Sequence, residues 1–233
     1  MKPLRPFLAA LWMLAAAPLA AQNGPVVVEL FTSQGCSSCP RADALLRDLA
    51  RRDDVLALAL HVDYWDYIGW KDEYADPAHG RRQKGYARAA GRDMVYTPQM
   101  IVAGQETLTG THAMELADLI ARHKAVPPRA TIEVARLGPA LSVRVAPVGA
   151  VAAGPFDLVL VRYSALRHAN ITRGENAGRR IDYANVVETL KVVGNWDGEE
   201  PADFTVPVDG DLPAAVLVQR QGHGPILAAA RVQ

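Results

Sequence analysis

Between Pro25 and Asp63 the spacing of apolar residues changes period twice, and these changes constrain the fold more than any other feature of the chain. Pro25–Phe31 (PVVVELF) is a short β-branched run with the composition of a buried strand. A loop, Thr32-Ser33-Gln34-Gly35, follows it. Ala42, Leu45, Leu46 and Leu49 then recur at helical spacing down to Arg52, with Pro40 suited to the first turn. Val55–Asp63 (VLALALHVD) reads as a second strand. A helix joining two strands is a crossover, so the strands are expected to run parallel. Sites in such sheets lie beyond the carboxyl ends of the strands, which is where the first loop and the Asp63 region fall.

The only two cysteines, Cys36 and Cys39, sit in that loop as Cys36-Ser37-Ser38-Cys39-Pro40. With Cys36 at the amino end of a helix, unpaired N–H groups and the helix dipole favour its thiolate and make it the expected nucleophile. Cys39, one turn on, is the natural resolving thiol. Pro98, preceded by Thr97 and heading a strand, is expected to adopt a cis peptide bond that turns backbone groups toward the pair. Tyr64, Trp65 and Trp70 are placed to wall a groove, with Asp63 and Asp66 as proton carriers or hydrogen-bond partners; the plainer role for the aromatics is to pin this segment to the sheet. Two other readings of the cysteines stay open. One is a structural disulfide in a non-catalytic binding module. The other is copper held by the two thiolates, with His61, His79 or His112 as extra ligands.

Residues 64–96 read as a helical insertion. Thr97–Gly104 is a strand entered through proline, paired as a hairpin with a second strand through Leu108, and a helix follows from about His112 to Lys124. Val126-Pro127-Pro128-Arg129 reads as a linker. Beyond it, alternating runs such as Leu141–Val145, Leu158–Val161 and Ala215–Val218 suggest a β-sandwich. The expected organisation is therefore a signal peptide over 1–21, a first domain over 22–126 with its insertion at about 64–96, and a second over 129–233. Gly174–Arg180 reads as a tight turn or a docking surface.

Lys2 and Arg5, the apolar stretch Phe7–Ala17 and the small residues Ala20 and Ala21 have the layout of a secretory signal, so the protein is expected to be periplasmic or secreted. The disulfide is then able to persist. With 25 basic and 25 acidic residues, no nucleic-acid partner is implied, and no later run is long and apolar enough for an integral membrane segment. No cofactor is expected, and no metal site apart from the copper reading of the two thiolates.

Strand, C-x-x-C, helix, strand, X-Pro, hairpin and helix together resemble the thioredoxin superfamily. The stretches Val28–Pro40, Val62–Asp72 and Val95–Gln99 more closely resemble an uncharacterised bacterial family of secreted thioredoxin-like proteins. The likeness extends more loosely to Gly174–Arg179 and Val186-Val187. It implies an α/β thioredoxin-like domain, followed, on the alternation after the linker, by a smaller all-β sandwich-like domain. It also implies an exported thiol–disulfide oxidoreductase that acts on protein thiols and exchanges electrons with a redox partner protein, with the roles falling on Cys36, Cys39 and Pro98, supported by Thr97. Thioredoxins bury an acid beneath the pair; Glu29 fills that place only if the following loop is one residue longer, and is otherwise a strand-end residue in a salt bridge. Two departures stand out. Gly35 replaces the Trp before the first cysteine, and Ser37-Ser38 replaces Gly-Pro between the pair, which leaves the direction of electron flow undecided.

Overall fold

The computed structural model describes residues 24–150 and 154–232; the expected signal peptide lies outside them. The elements in chain order are β1 (Val26–Thr32), α1 (Cys39–Leu49), β2 (Val55–His61), a 3-10 turn (Asp66–Ile68), α2 (Pro77–Ala89), β3 (Gln99–Val102), β4 (Glu106–Thr109) and α3 (Ala113–Ala125). There follow β5 (Ala130–Leu137), β6 (Ala140–Pro147), β7 (Phe156–Ile171), β8 (Arg179–Trp196), β9 (Ala202–Pro207), β10 (Ala214–Arg220) and β11 (Ile226–Arg231).

The first elements follow from their side-chain periods. β1 and β2 are parallel, in register from Val26 opposite Val55 to Thr32 opposite His61. β3 runs antiparallel to β1, with Gln99 opposite Phe31, and forms a hairpin with β4. Alternation sends Val28 and Leu30 of β1, with Ala57 and Ala59 of β2, to one face, where α1 and α3 cover them through Ala42, Leu46, Leu116 and Ile120. Val27, Phe31, Leu56, Leu58 and Leu60 point to the other face, where Tyr86 of α2 packs.

The expected fold class, an α/β thioredoxin-like domain followed by a smaller all-β sandwich-like domain, is overturned. Among the described residues the protein is mostly β, 44% strand against 19% helix. Eight strands form one mixed sheet in the order β11-β10-β7-β8-β2-β1-β3-β4, and only β5, β6 and β9 form a separate three-stranded sheet. The reason lies in the edge of β2. Its unpaired backbone groups are a template for another strand, and β8 takes that place. The junction is parallel at Ala59 and Val186, and Asn185, in the left-handed region at φ 48°, donates from Nδ2 to the Ala57 carbonyl at 2.8 Å. β8 brings β7, β10 and β11 with it, so most strands after Pro128 extend the first sheet instead of closing on one another. The three-stranded sheet packs on that extension through Leu141, Val143, Leu158, Leu160, Val216 and Val218.

β7 and β8 are 16 and 18 residues long and form a hairpin that reaches past the carboxyl ends of β1 and β2. Its turn, residues 172–178, meets the cysteine loop and the 66–74 segment. Every feature of the candidate site lies at this end of the sheet.

Candidate functional site

Cys36 and Cys39 form a disulfide with their Cα atoms 5.4 Å apart. Cys39 is the first residue of α1 and Cys36 precedes its N-cap, Ser38, so the helix begins one cysteine later than the sequence reading has it. The Ser38 side chain makes no capping bond and the first turn carries no acid. The positive end of the α1 dipole therefore faces the sulfurs uncompensated. Cys39 is fully buried and Cys36 only 3% exposed, while Ser37 and Ser38 between them face solvent.

The loop that carries the pair is held on three sides. Asn176, at the turn of the β7–β8 hairpin, donates from Nδ2 to the carbonyls of Gln34 and Cys36, both at 2.9 Å. The Gln34 amide donates to Asp72 Oδ2 at 2.8 Å, and Trp70 Nε1 donates to Gln34 Oε1 at 2.7 Å. On the third side Gly35 lies against Trp65 so closely that a Cβ there would stand 3.3 Å from Trp65 Cβ. Trp65 Nε1 in turn donates to Thr97 Oγ1 at 2.7 Å and its ring stacks on exposed Tyr67. The Thr97–Pro98 peptide bond is cis. Pro98 follows on from the Phe31–Gln99 pairing, which sets it beside Thr32, and with Ala42 it closes around Gly110, where a Cβ would come within 3.1 Å of both.

Beneath the loop is a buried polar cluster of which the sequence points only to His61, and there as a candidate copper ligand. Thr32 Oγ1 donates to Asp43 Oδ1 at 2.7 Å, and Asp43 lies one turn along α1 from Cys39, on the same face. Burial pushes the Asp43 carboxyl up to about 7; His61 and the Thr32 hydrogen bond pull it back, Asp72 adds to the rise, and Arg47 opposes it. His61 Nδ1 bonds Asp72 Oδ2 at 2.7 Å, and the other Asp72 oxygen accepts from the Tyr74 amide at 2.9 Å. The Tyr183 ring stands edge-on to His61 with centroids 4.7 Å apart. Alternation was the available signal. Thr32 and His61 are partner residues on the α1 face of β1 and β2, and Asp43 stands four residues after Cys39 and three before buried Leu46.

Glu29 lies elsewhere. It faces α2, where Arg82 donates to both its oxygens at 2.6 and 3.1 Å and the Tyr86 hydroxyl donates at 2.5 Å. An odd step along β1 separates it from Thr32, so the strand's period of two puts it on the far side of the sheet from α1. Asp63 also sits on the α2 side, its Oδ1 being 3.8 Å from where a Cβ on Gly80 would lie. Asp66 is a bracing residue whose Oδ1 accepts from the Asp72 amide at 3.1 Å, with its carboxyl raised by burial. The structure thus gathers Cys36, Cys39, Trp65, Thr97 and Pro98 at one end of the sheet and leaves Glu29 and Asp63 apart from them. Among the described residues, no group of three or more His, Cys, Asp or Glu side chains is arranged to hold a metal ion, and no helix is long and apolar enough to cross a membrane.

Comparison with known proteins gives a family without an assigned activity. Residues 27–219 match DUF1223, a protein family of unknown function. An X-ray crystal structure of an Agrobacterium tumefaciens protein, determined as a structural-genomics target, is similar at 31% identity with a TM-score of 0.76, over 91% of this chain and 95% of that one. HBP35 of Porphyromonas gingivalis, 16% identical with a TM-score of 0.63 over 90% of this chain and 74% of that one, shares the fold. No curated protein matches.

Proposed function

The chain belongs to the DUF1223 family, which prescribes no chemistry, and from its residues we propose that it is an exported thiol–disulfide oxidoreductase acting on protein thiols through Cys36 and Cys39. The local likeness to thioredoxin-like proteins supports this reading at the site alone: a strand, the C-x-x-C pair at a helix start, and a proline beside it. The observation that carries it is Asp43. A pair serving only as a staple has no use for a buried carboxyl, poised near neutrality, one turn beneath it, because burying that carboxyl weakens the fold. A thiol pair that opens and closes does need a group there to take and return a proton.

In the opening direction, a thiolate of the partner attacks Cys36 Sγ. The Cys36–Cys39 bond breaks, its electron pair leaves on Cys39 Sγ, and the Asp43 carboxyl returns a proton to that sulfur. The uncapped amino end of α1 stabilises the negative charge while it exists. Ser37 and Ser38 are the solvent-facing surface nearest the sulfurs, and Trp65 and Tyr67 line the approach beside Gly35. The substrate is a protein thiol or disulfide, and a second redox protein resets the pair. The signal-like residues 1–21 support a periplasmic or secreted setting.

The near-complete burial of Cys36 favours a second reading, a binding module whose disulfide only braces the loop. One titration separates them. Equilibration in glutathione buffers, followed by alkylation and mass spectrometry, is expected to show the pair opening within the range set by such buffers. Structural disulfides resist, with potentials below about −300 mV. A pair that stays closed at the most reducing ratio, in folded protein, removes the oxidoreductase reading. Cys39→Ser is expected to retain mixed disulfides with substrate proteins on Cys36.

A further inference from the structure

Three buried polar atoms around Asp43 have no partner within the protein: Asp43 Oδ2, His61 Nε2 and the Tyr183 hydroxyl. They come from α1, β2 and β8, and they are neighbours. His61 is the register partner of Thr32, Thr32 bonds the other Asp43 oxygen, and the Tyr183 ring abuts the His61 ring. Buried polar atoms are nearly always paired in native proteins, so three orphans in one place require an explanation. The opposite side of the imidazole is, in contrast, tightly bound. Asp72 Oδ2 takes both His61 Nδ1 and the Gln34 amide, and Asp72 Oδ1 takes the Tyr74 amide. An imidazole whose Nδ1 hydrogen is committed to a carboxylate presents the lone pair of Nε2 on its free side. Of the charged groups around Asp43, His61 acts on it most strongly.

We propose that His61, oriented by Asp72, is the second station of a proton path that starts at Asp43, so that closure of the dithiol charges a buried imidazole–carboxylate pair. This rests on the oxidoreductase reading. In the closing step the Cys39 thiol gives its proton to the Asp43 carboxylate. The Cys39 thiolate attacks Cys36 Sγ of a mixed disulfide, forming the Cys36–Cys39 bond, and the substrate sulfur leaves with the electron pair of the broken bond. Asp43 passes the proton to His61 Nε2, and Asp72 balances the imidazolium. Tyr183, its hydroxyl kept protonated by burial and by the nearby Asp43, Asp72 and Tyr74, lies beside them with no partner of its own within the protein. The titratable groups facing Asp43 are Arg47 from its own helix, His61 from β2, Asp72 from the segment after the 3-10 turn and Tyr183 from β8. Asp72 is also the residue that grips the cysteine loop through Gln34, so the path and the loop share one anchor.

The test is the pH profile of the intramolecular closing step, measured by reacting reduced protein with oxidised glutathione and quenching with acid. The wild-type profile should bend near the Asp43 value of about 7. His61→Gln should change this profile, because it removes the group to which Asp43 hands its proton. It should also slow closure at neutral pH by about a hundredfold, the lower end of what a positioned proton acceptor supplies. Asp72→Asn should move the bend downward, since its like charge is removed. A His61→Gln profile that matches wild type in both bend and rate overturns the relay while leaving the dithiol chemistry standing. Wild-type protein that forms no glutathione adduct and closes at no pH overturns the oxidoreductase reading and the relay with it. Should His61→Gln fail to fold, NMR titration of the wild-type imidazole decides: a His61 signal that titrates identically in the oxidised and reduced protein overturns the relay.

Discussion

β1 carries a buried polar cluster on each of its faces, and the two are built on opposite principles. On the α2 face, Glu29, Arg82, Tyr86 and Gln219 form a closed network. Arg82 donates to Glu29, to the Tyr86 hydroxyl and to Gln219 Oε1, and Gln219 Nε2 donates to Tyr86 and to the Gly224 carbonyl. No side-chain atom of these four residues is among the unpartnered buried ones. On the α1 face, Asp43, His61 and Tyr183 each leave a buried polar atom without a partner. A closed network ties β1, α2 and β10 into one body and has nothing left to exchange. An open one keeps sites for a proton to enter and leave, at a cost in stability. The difference separates a structural carboxylate, Glu29, from a chemical one, Asp43, on the two faces of one strand.

The comparison breaks most sharply at Arg82. Arg82→Met should destabilise the fold by about 3–5 kcal/mol in urea unfolding, because it leaves Glu29 charged, buried and unpaired. Exchange chemistry of the folded protein should not change. A loss below about 1 kcal/mol would show that Glu29 relaxes or neutralises readily, and would erase the distinction.

Asp43 is expected to act in the reverse sense. Its carboxyl is raised from 3.8 to about 7, so the folded protein holds a proton that the unfolded chain releases. Its contribution is therefore fully present below about pH 4 and is lost progressively as pH rises to about 7. The full loss is of order 4 kcal/mol if the other groups titrate alike. Asp43→Asn, which retains an acceptor for Thr32, should be flat across that range, matching wild type near pH 4 and exceeding it at pH 8. Parallel stability curves for the two proteins would mean that Asp43 is as well satisfied as Glu29, and the oxidoreductase reading would lose its main support.

How much of this could be read from the chain depends on the range of the interactions. The strand, helix and strand over residues 25–63, the hairpin at 97–108 and the helix near 112–124 are local periodic patterns, and they were legible. Of the two roles open to Glu29, the salt-bridged one holds: the strand's period of two sends it away from α1 and onto Arg82. Asp43 is hard to read from the chain because Arg41, Asp43 and Arg47 look like the solvent side of an amphipathic helix; counting four from Cys39 instead of one from Ala42 puts it inside. The fold class failed for a different reason. Nothing local in Arg162–Asn170 marks it as the continuation of a strand, and nothing in Val55–His61 says that a strand more than a hundred residues away completes its edge. The Gly174–Arg180 segment reads as a tight turn or a surface docking against the first domain, and Asn176 does bond Gln34 and Cys36 there, although nothing local says which residues it meets.

Those partners allow a smaller test of the same contrast. Asn176 is buried and bonds the carbonyls of Gln34 and Cys36, so it holds the chemically open cluster from above as Asp72 holds it from within. Asn176→Ala should cost about 1–3 kcal/mol, the penalty for leaving buried carbonyls unpaired, which is less than the loss at Arg82. Its distinguishing mark is kinetic. Freed from the hairpin turn, the loop should expose Cys36, and the disulfide should be reduced faster by a small thiol such as dithiothreitol, measured by alkylation at fixed pH. An equivalent cavity at the closed network, Gln219→Ala, should lower stability without accelerating reduction. If both variants speed reduction equally, access to the sulfurs is governed by global opening of the fold and not by the hairpin turn.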